Sequence, residues 1–317
     1  MGTTHLDEEV DEQVDDSKFR SLVGRLSRQS VEKHYDAYAD IPWDDPAFAI
    51  DATDPRWRLT DDDPLGATAW YRALPGDEQS RLGLWRTATA MRTGLQFENV
   101  LKRGLLEYAY KLPNGSPEFR YAYHETIEEA HHGLMFQEFV NRTGMDITGL
   151  RPVDRMAANW VVLLGRVFPE LFFFFVLGGE DPIDHVQRKT LRSGRELHPL
   201  LETIMRNHVT EEARHLSFAR HYLKTSVPRL GVVRRRILAF AVPLILGAMT
   251  PTMLAPSPQL VREFRIPKDA LRDYREFAST HDERPEMMRK VRRLAEEVRI
   301  VGPLSKRLWK SLGLWGA

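Results

Sequence analysis

Four long stretches of the chain repeat apolar side chains at intervals of three and four, and nowhere does an apolar/polar alternation run the length of a strand. The first spans about 77–111, carrying Leu82, Leu84, Trp85, Ala88, Met91, Leu95, Val100, Leu101 and Leu105, and stops at Pro113-Asn114-Gly115. The second spans about 117–143, with Ser116 as its N-cap and Gly144 as its stop. The third, about 154–178, is apolar through Phe172-Phe173-Phe174-Phe175; the pattern is too long for a strand, and Gly178-Gly179 is expected to kink or interrupt the helix before Glu180. The fourth spans about 197–224. Four helices of this length can hide their apolar stripes only against each other, so an all-α fold around a four-helix core is the expectation.

The flanks read differently. Residues 1–76 hold seven acidic side chains before the first basic one at Lys18, then Asp45-Pro46, Asp54-Pro55 and Asp63-Pro64 steps that oppose long helices, so a largely irregular acidic arm is expected. Such a start is unlike a secretory leader and points to a cytoplasmic protein. Residues 77–225 form the core and 226–317 supply additional helices packing on it. Between Arg236 and Arg262, residues 237–261 carry no charge; the length permits a membrane span, but Pro243, Pro251, Pro256 and Pro258 favour a buried helix followed by an irregular segment. The basic, amphipathic C-terminus, with Lys306, Arg307 and Lys310, suits a solvated helix or one resting on a membrane surface or a partner.

Composition limits the chemistry. Cysteine is absent, which excludes disulfides, thiolate metal sites and thiol nucleophiles; 45 basic against 45 acidic residues remove the general electrostatic case for binding nucleic acid. Any metal must be held by Glu, Asp and His, and a chain of 317 residues needs none merely to fold.

Such residues recur in a pattern. Glu128-Glu129-Ala130-His131-His132 lies in the second helix and Glu211-Glu212-Ala213-Arg214-His215 in the fourth. Glu and His three apart share a helix face within reach of one ion, and two such pairs on different helices make the carboxylate-bridged two-metal arrangement of helical bundles. The face Glu125, Glu129, His132, Phe136, Phe139 runs into apolar residues, whereas His124, Glu128, His131, Met135, Glu138 returns to charge, so Glu129 and His132 point inward. By the same test His208, Glu212 and His215 point inward in the fourth helix. Each remaining helix should add one carboxylate: Glu98, amid an apolar stripe, and Glu180, 32 residues before Glu212 much as Glu98 lies 31 before Glu129. Glu170 is the reserve choice.

Glu98, Glu129-x-x-His132, Glu180 and His208-x-x-x-Glu212-x-x-His215 resemble the ligand pattern of the p-aminobenzoate N-oxygenase family over about residues 80–225. His208 carries the distinction from ferritins, acyl desaturases and ribonucleotide reductase small subunits, which share only the Glu-x-x-His pairs. The resemblance implies a ferritin-like core and two non-haem irons, with manganese a possible substitute. It further implies O2 as co-substrate, activated as a peroxo species, and transfer of oxygen to an arylamine nitrogen towards hydroxylamine, nitroso or nitro, with electrons from an external donor. Four glutamates balance two Fe(II), and no catalytic group beyond the ligands is expected. Glu128 and Glu211 are placed either as hydrogen-bond partners of metal-bound imidazoles or on a solvated helix face. Two other readings stay open: desaturation or hydroxylation of a lipid or carrier-bound acyl chain, suggested by the apolar stretches, and a ferroxidase with no organic substrate. Faces left exposed on such bundles commonly pair, so a homodimer is expected.

Overall fold

The computed structural model describes residues 3–316, with side chains from residue 16 onward. Helices α1 (Thr3–Glu32), α2 (Ala69–Arg72), α3 (Gly76–Ala109), α4 (Pro117–Thr143), α5 (Pro152–Val167), α6 (Pro169–Arg192) and α7 (Pro199–Ser226) lead to the end of the core. Beyond them come α8 (Val232–Leu254), α9 (Pro258–Glu263), α10 (Lys268–Thr280), α11 (Arg284–Met287), α12 (Arg289–Glu297) and α13 (Pro303–Ser311). There is no strand among the described residues. The fold is all-α, and α3, α4, α6 and α7 supply the four-helix core.

Local chemistry sets the core boundaries. At the start of α4, Ser116 Oγ accepts from the Phe119 amide at 3.2 Å with Pro117 at the first helical position, and Gly144 ends the helix at φ 64°. The expected third helix is two helices: Pro169 keeps Phe168 out of the helical region, at φ −150° and ψ 68°, so the chain turns between α5 and α6. Gly178-Gly179 does not interrupt α6, which continues to Arg192. Gly178 instead leaves room for α8, since a Cβ there would overlap the Leu246 side chain. α3 and α5 approach even more closely, where a Cβ on Gly165 would overlap the Gly104 carbonyl oxygen.

The N-terminal segment departs most from the sequence expectation. Thr3–Glu32 is one long helix, and only the run from 33 to 68 lacks regular helix beyond two short 3-10 turns. The acidic composition obscured a stripe, Phe19, Leu22, Val23 and Leu26, at helical spacing; these side chains join the same apolar core as Tyr121, Phe218 and Leu223. α1 thereby lies across α4 and α7.

The uncharged stretch also differs. α8 continues through Pro243 and Pro251, buries Leu238, Val242 and Leu246, and leaves Val233, Ile237, Phe240 and Leu244 exposed. By length and composition its most apolar window could cross a membrane, but with 33% of that window buried it is neither the enclosed core helix expected nor free of the core.

Candidate metal centre

Two neighbouring turns, one on α4 and one on α7, set the centre. Each Glu-x-x-His pair closes on itself, with His132 Nδ1 3.1 Å from Glu129 Oε2 and His215 Nδ1 3.0 Å from Glu212 Oε1. The pairs also interleave: His215 Nδ1 lies 2.9 Å from Glu129 Oε1 and His132 Nδ1 3.6 Å from Glu212 Oε1. Glu98 of α3 comes within 3.5 Å of His208 Nε2, and Glu180 of α6 gathers with His208 and Glu212. All seven sequence-derived residues thus converge, each essentially inaccessible to solvent. Ligand atoms fall into overlapping groups within 4.8 Å: Glu129 is shared between the groups holding His215 and His132, and Glu212 between those holding His132 and His208. Shared carboxylates between two imidazole-bearing positions are what a pair of bridged cations requires.

Glu170 stands apart. It is buried near the start of α6 beside Tyr222 and Tyr108 and belongs to none of these groups. Asp181, next to Glu180, turns the other way to pair with Arg220.

The adjacent glutamates have a reciprocal arrangement. Glu211 on α7 accepts from His132 Nε2 of α4 at 2.8 Å, while Glu128 on α4 accepts from His215 Nε2 of α7 at 2.7 Å. Both rings therefore present Nδ1 to the carboxylate cluster and are held from behind by an anion, as ligating histidines commonly are. Neither glutamate lies on a solvated face. Glu128 also accepts from Arg214 at 2.9 Å, and Glu211 accepts from the Tyr35 amide at 2.8 Å, so the segment following α1 closes over this layer. His208 is oriented the other way round, Nε2 inward, with Nδ1 3.0 Å from Gln187 Oε1.

Two residues escaped the sequence reading. Glu125 is fully buried, groups with Glu129 and His215, and leaves both carboxylate oxygens without a partner. It stands four residues before Glu129 on the face used to choose the register; the expectation of one carboxylate per pair hid it. Gln187 lies seven residues after Glu180 on the same face of α6, a spacing that could have flagged it.

The electrostatics are those of buried carboxylates and imidazoles crowded together. Burial, reinforced by Glu129, drives Glu98 far above the usual carboxylate range, and burial with Glu212 does the same to Glu180. Burial lifts Glu125 to about 8. For His132 burial works downward but is outweighed by Glu129 and Glu211, which hold it near 10. Burial and the neighbouring His132 push His208 well down, so it stays neutral as a ligand must. Glu98 Oε2, Glu180 Oε2, Glu212 Oε2 and His208 Nε2 have no hydrogen-bond partner although enclosed. Orphaned buried acceptors of this kind are costly, and divalent cations among them would remove the cost, so the residues fit a two-metal centre. Oxygen and imidazole donors without sulfur suit iron or manganese.

Beside the centre is a cavity of about 410 Å³. Gly94 and Phe97 of α3, Ile183 of α6, Arg151 and Asp154 of α5 and the Pro251–Pro258 segment contribute to its wall. Gly94 and Ile183 sit one helical turn from Glu98 and Glu180 on the same helices.

Comparison with known proteins finds relatives along nearly the whole chain. The chain is 40% identical over 300 residues to uncharacterized protein MT0908 of Mycobacterium tuberculosis (strain CDC 1551 / Oshkosh), covering 94% of this chain and 88% of that one. It is 39% identical over the same length and shares to uncharacterized protein Mb0909 of Mycobacterium bovis (strain ATCC BAA-935 / AF2122/97). No solved structure matches. The family model described as P-aminobenzoate N-oxygenase AurF matches residues 16–299, nearly the whole chain, and the protein belongs to that family of di-iron oxygenases.

Proposed function

We propose that this protein is an O2-dependent N-oxygenase of a small aromatic amine, using two irons held by Glu98, Glu129, His132, Glu180, His208, Glu212 and His215. The observation that carries the reading is the third imidazole: His208 reaches the carboxylates through Nε2 from a position that the two Glu-x-x-His pairs alone do not supply. The bound irons would supply redox electrons and a place for O2 to be reduced. The chain's own residues do the rest. Glu128 and Glu211 fix the tautomer and angle of the two paired histidines; Glu125 adds a buried carboxyl, protonated at neutral pH in the metal-free protein, beside His215. Phe97 and Ile183 give the cavity apolar wall that suits a ring.

Each oxygenation step consumes O2, two electrons and two protons, places one oxygen on nitrogen and releases the other as water; an external donor must supply the electrons. The cavity's size suits one small ring, at the low end of ligand pockets, rather than a long acyl chain. The enclosure of every ligand argues against a ferroxidase, which needs iron to enter and leave. The test is to load the protein with Fe(II), supply O2 and a chemical reductant, and analyse the products from p-aminobenzoate and related arylamines. Hydroxylamine, nitroso or nitro products would support the proposal; oxidation of Fe(II) alone across a panel of amines would refute it.

A further inference from the structure

Helices α5 and α8 run antiparallel over the core. At one end Arg234, in the first turn of α8, donates to the Val167 carbonyl at the end of α5 at 2.7 Å; at the other, Arg151 and Asp154 line the same cavity as the last turn of α8. Each helix buries one side and presents an apolar stripe on the other. On α5 the exposed residues are Val153, Met156, Trp160, Leu163 and Val167, spaced three and four apart; on α8 they are Val233, Ile237, Phe240 and Leu244, spaced four, three and four. Trp160 and Val233 are each 72% exposed and Met156 is 64% exposed, values far from incidental surface hydrophobes. Together the two stripes offer on the order of 800–1,000 Å² of apolar surface, as much as one side of a stable interface.

The charge around this surface identifies what covers it. α13 lies along the other flank of α8, where Leu312 packs against Gly247. The three helices, with Arg151 before α5, carry nine basic residues (six arginines on or before α5 and α8, with Lys306, Arg307 and Lys310 on α13) against the single acid Asp154, in a chain whose basic and acidic residues balance. Glu107 of α3 reaches one of them, Arg166, at 3.8 Å. A second copy would bring two such basic rims together, which repel. An anionic bilayer meets both features: the apolar stripes enter the headgroup boundary, Trp160 sits at the depth tryptophan prefers, and the basic rim meets lipid phosphates. α8 cannot span that bilayer while Leu238, Val242 and Leu246 remain packed in the core.

We propose that the α5/α8 face, rimmed by the basic side chains of α5, α8 and α13, docks this protein on anionic membrane surfaces, with the mouth of the active-site cavity at the edge of the contact. Docking does not depend on the oxygenase reading. The experiment is flotation of the full chain with phosphatidylglycerol and with phosphatidylcholine vesicles at low and high salt, alongside solution mass. The wild type is expected to bind phosphatidylglycerol, to bind phosphatidylcholine far less, and to detach with salt. Among the described residues the guanidinium groups of Arg155, Arg236 and Arg307 make no hydrogen bond or ion pair that would compromise the fold on removal, so R155S/R236S/R307S should weaken binding by about a hundredfold, roughly fivefold for each charge. W160S should weaken it at least tenfold. Both variants should keep wild-type metal content and thermal midpoint, because the side chains removed are exposed. Failure of the wild type to float with phosphatidylglycerol at low salt would overturn the proposal, as would unaltered binding by both variants. So would a dimer that W160S dissociates in a protein that ignores vesicles, since a second copy would then be the occupant.

Discussion

Glu211 makes the sharpest test of the centre because it stands between two donors. Its Oε2 receives His132 Nε2–H and its Oε1 receives the Tyr35 amide, both at 2.8 Å, and the residue is wholly buried. Glu211→Gln keeps the volume but turns one oxygen into an NH2 group. Whichever way the amide flips, one donor then faces another. Leaving a buried donor unsatisfied costs about 1–3 kcal/mol, so the metal-free variant should unfold a few degrees lower. If the amide oxygen stays with Tyr35, His132 loses the anion that orients it, and iron affinity should fall by roughly ten- to a hundredfold, the usual consequence of removing such a partner. The assay is competition with a chelator of known affinity, monitored as iron per chain, together with thermal denaturation with and without iron. Glu128→Gln should behave alike, since Glu128 likewise lies between His215 and Arg214, both donors. Wild-type iron affinity and wild-type stability in both variants would refute the argument that these carboxylates hold the ligating rings.

The remaining predictions concern the metal-free protein and the packing around it. Glu125 and His132 have folded-state pKa values raised from 4.5 to about 8 and from 6.5 to about 10, so each contributes stability at low pH that is lost as pH rises through those intervals. Glu128 is opposite: burial opposes but His215 and Arg214 prevail, its value falls from 4.5 to about 2, and its contribution disappears as pH drops through that range. Denaturant midpoints of the metal-free chain should therefore be highest near pH 5 and decline towards pH 9; a steady rise across that span would contradict the assignment. Iron binding at neutral pH should release a proton from each of Glu98, Glu180, His132 and His215, measurable by calorimetry in buffers of differing ionisation enthalpy. Glu180→Ala should lose iron while Glu170→Ala keeps the full complement, and the reverse result would move the α6 ligand one half-helix away. Gly165→Ala should destabilise by about 3 kcal/mol, because its methyl would press on the Gly104 backbone rather than on a side chain able to move; an unchanged thermal midpoint would show that α3 and α5 can separate freely.

Much of the centre was legible in the sequence because helical geometry is local. A Glu and a His three residues apart share a face whatever surrounds them, so Glu129/His132 and Glu212/His215 could be read from spacing, and the apolar neighbours chose between adjacent glutamates. The ends of α4 were equally local, set by Ser116, Pro117 and Gly144. Other features depended on which element packs on which. Composition suggested an irregular acidic arm, but α1 is ordered against α4 and α7, and that cover makes Glu128 and Glu211 interior residues instead of a solvated face. Glu125 and Gln187 could be placed on the right helix faces from spacing alone; only convergence of four helices showed what stood opposite them. Pro169 divides one apolar run into α5 and α6, and the resulting turn leaves α5 with an exposed stripe beside α8. Spacing determined which side chains share a helix face; only tertiary packing decided which faces meet each other and which meet solvent, because burial depends on neighbours distant in the chain.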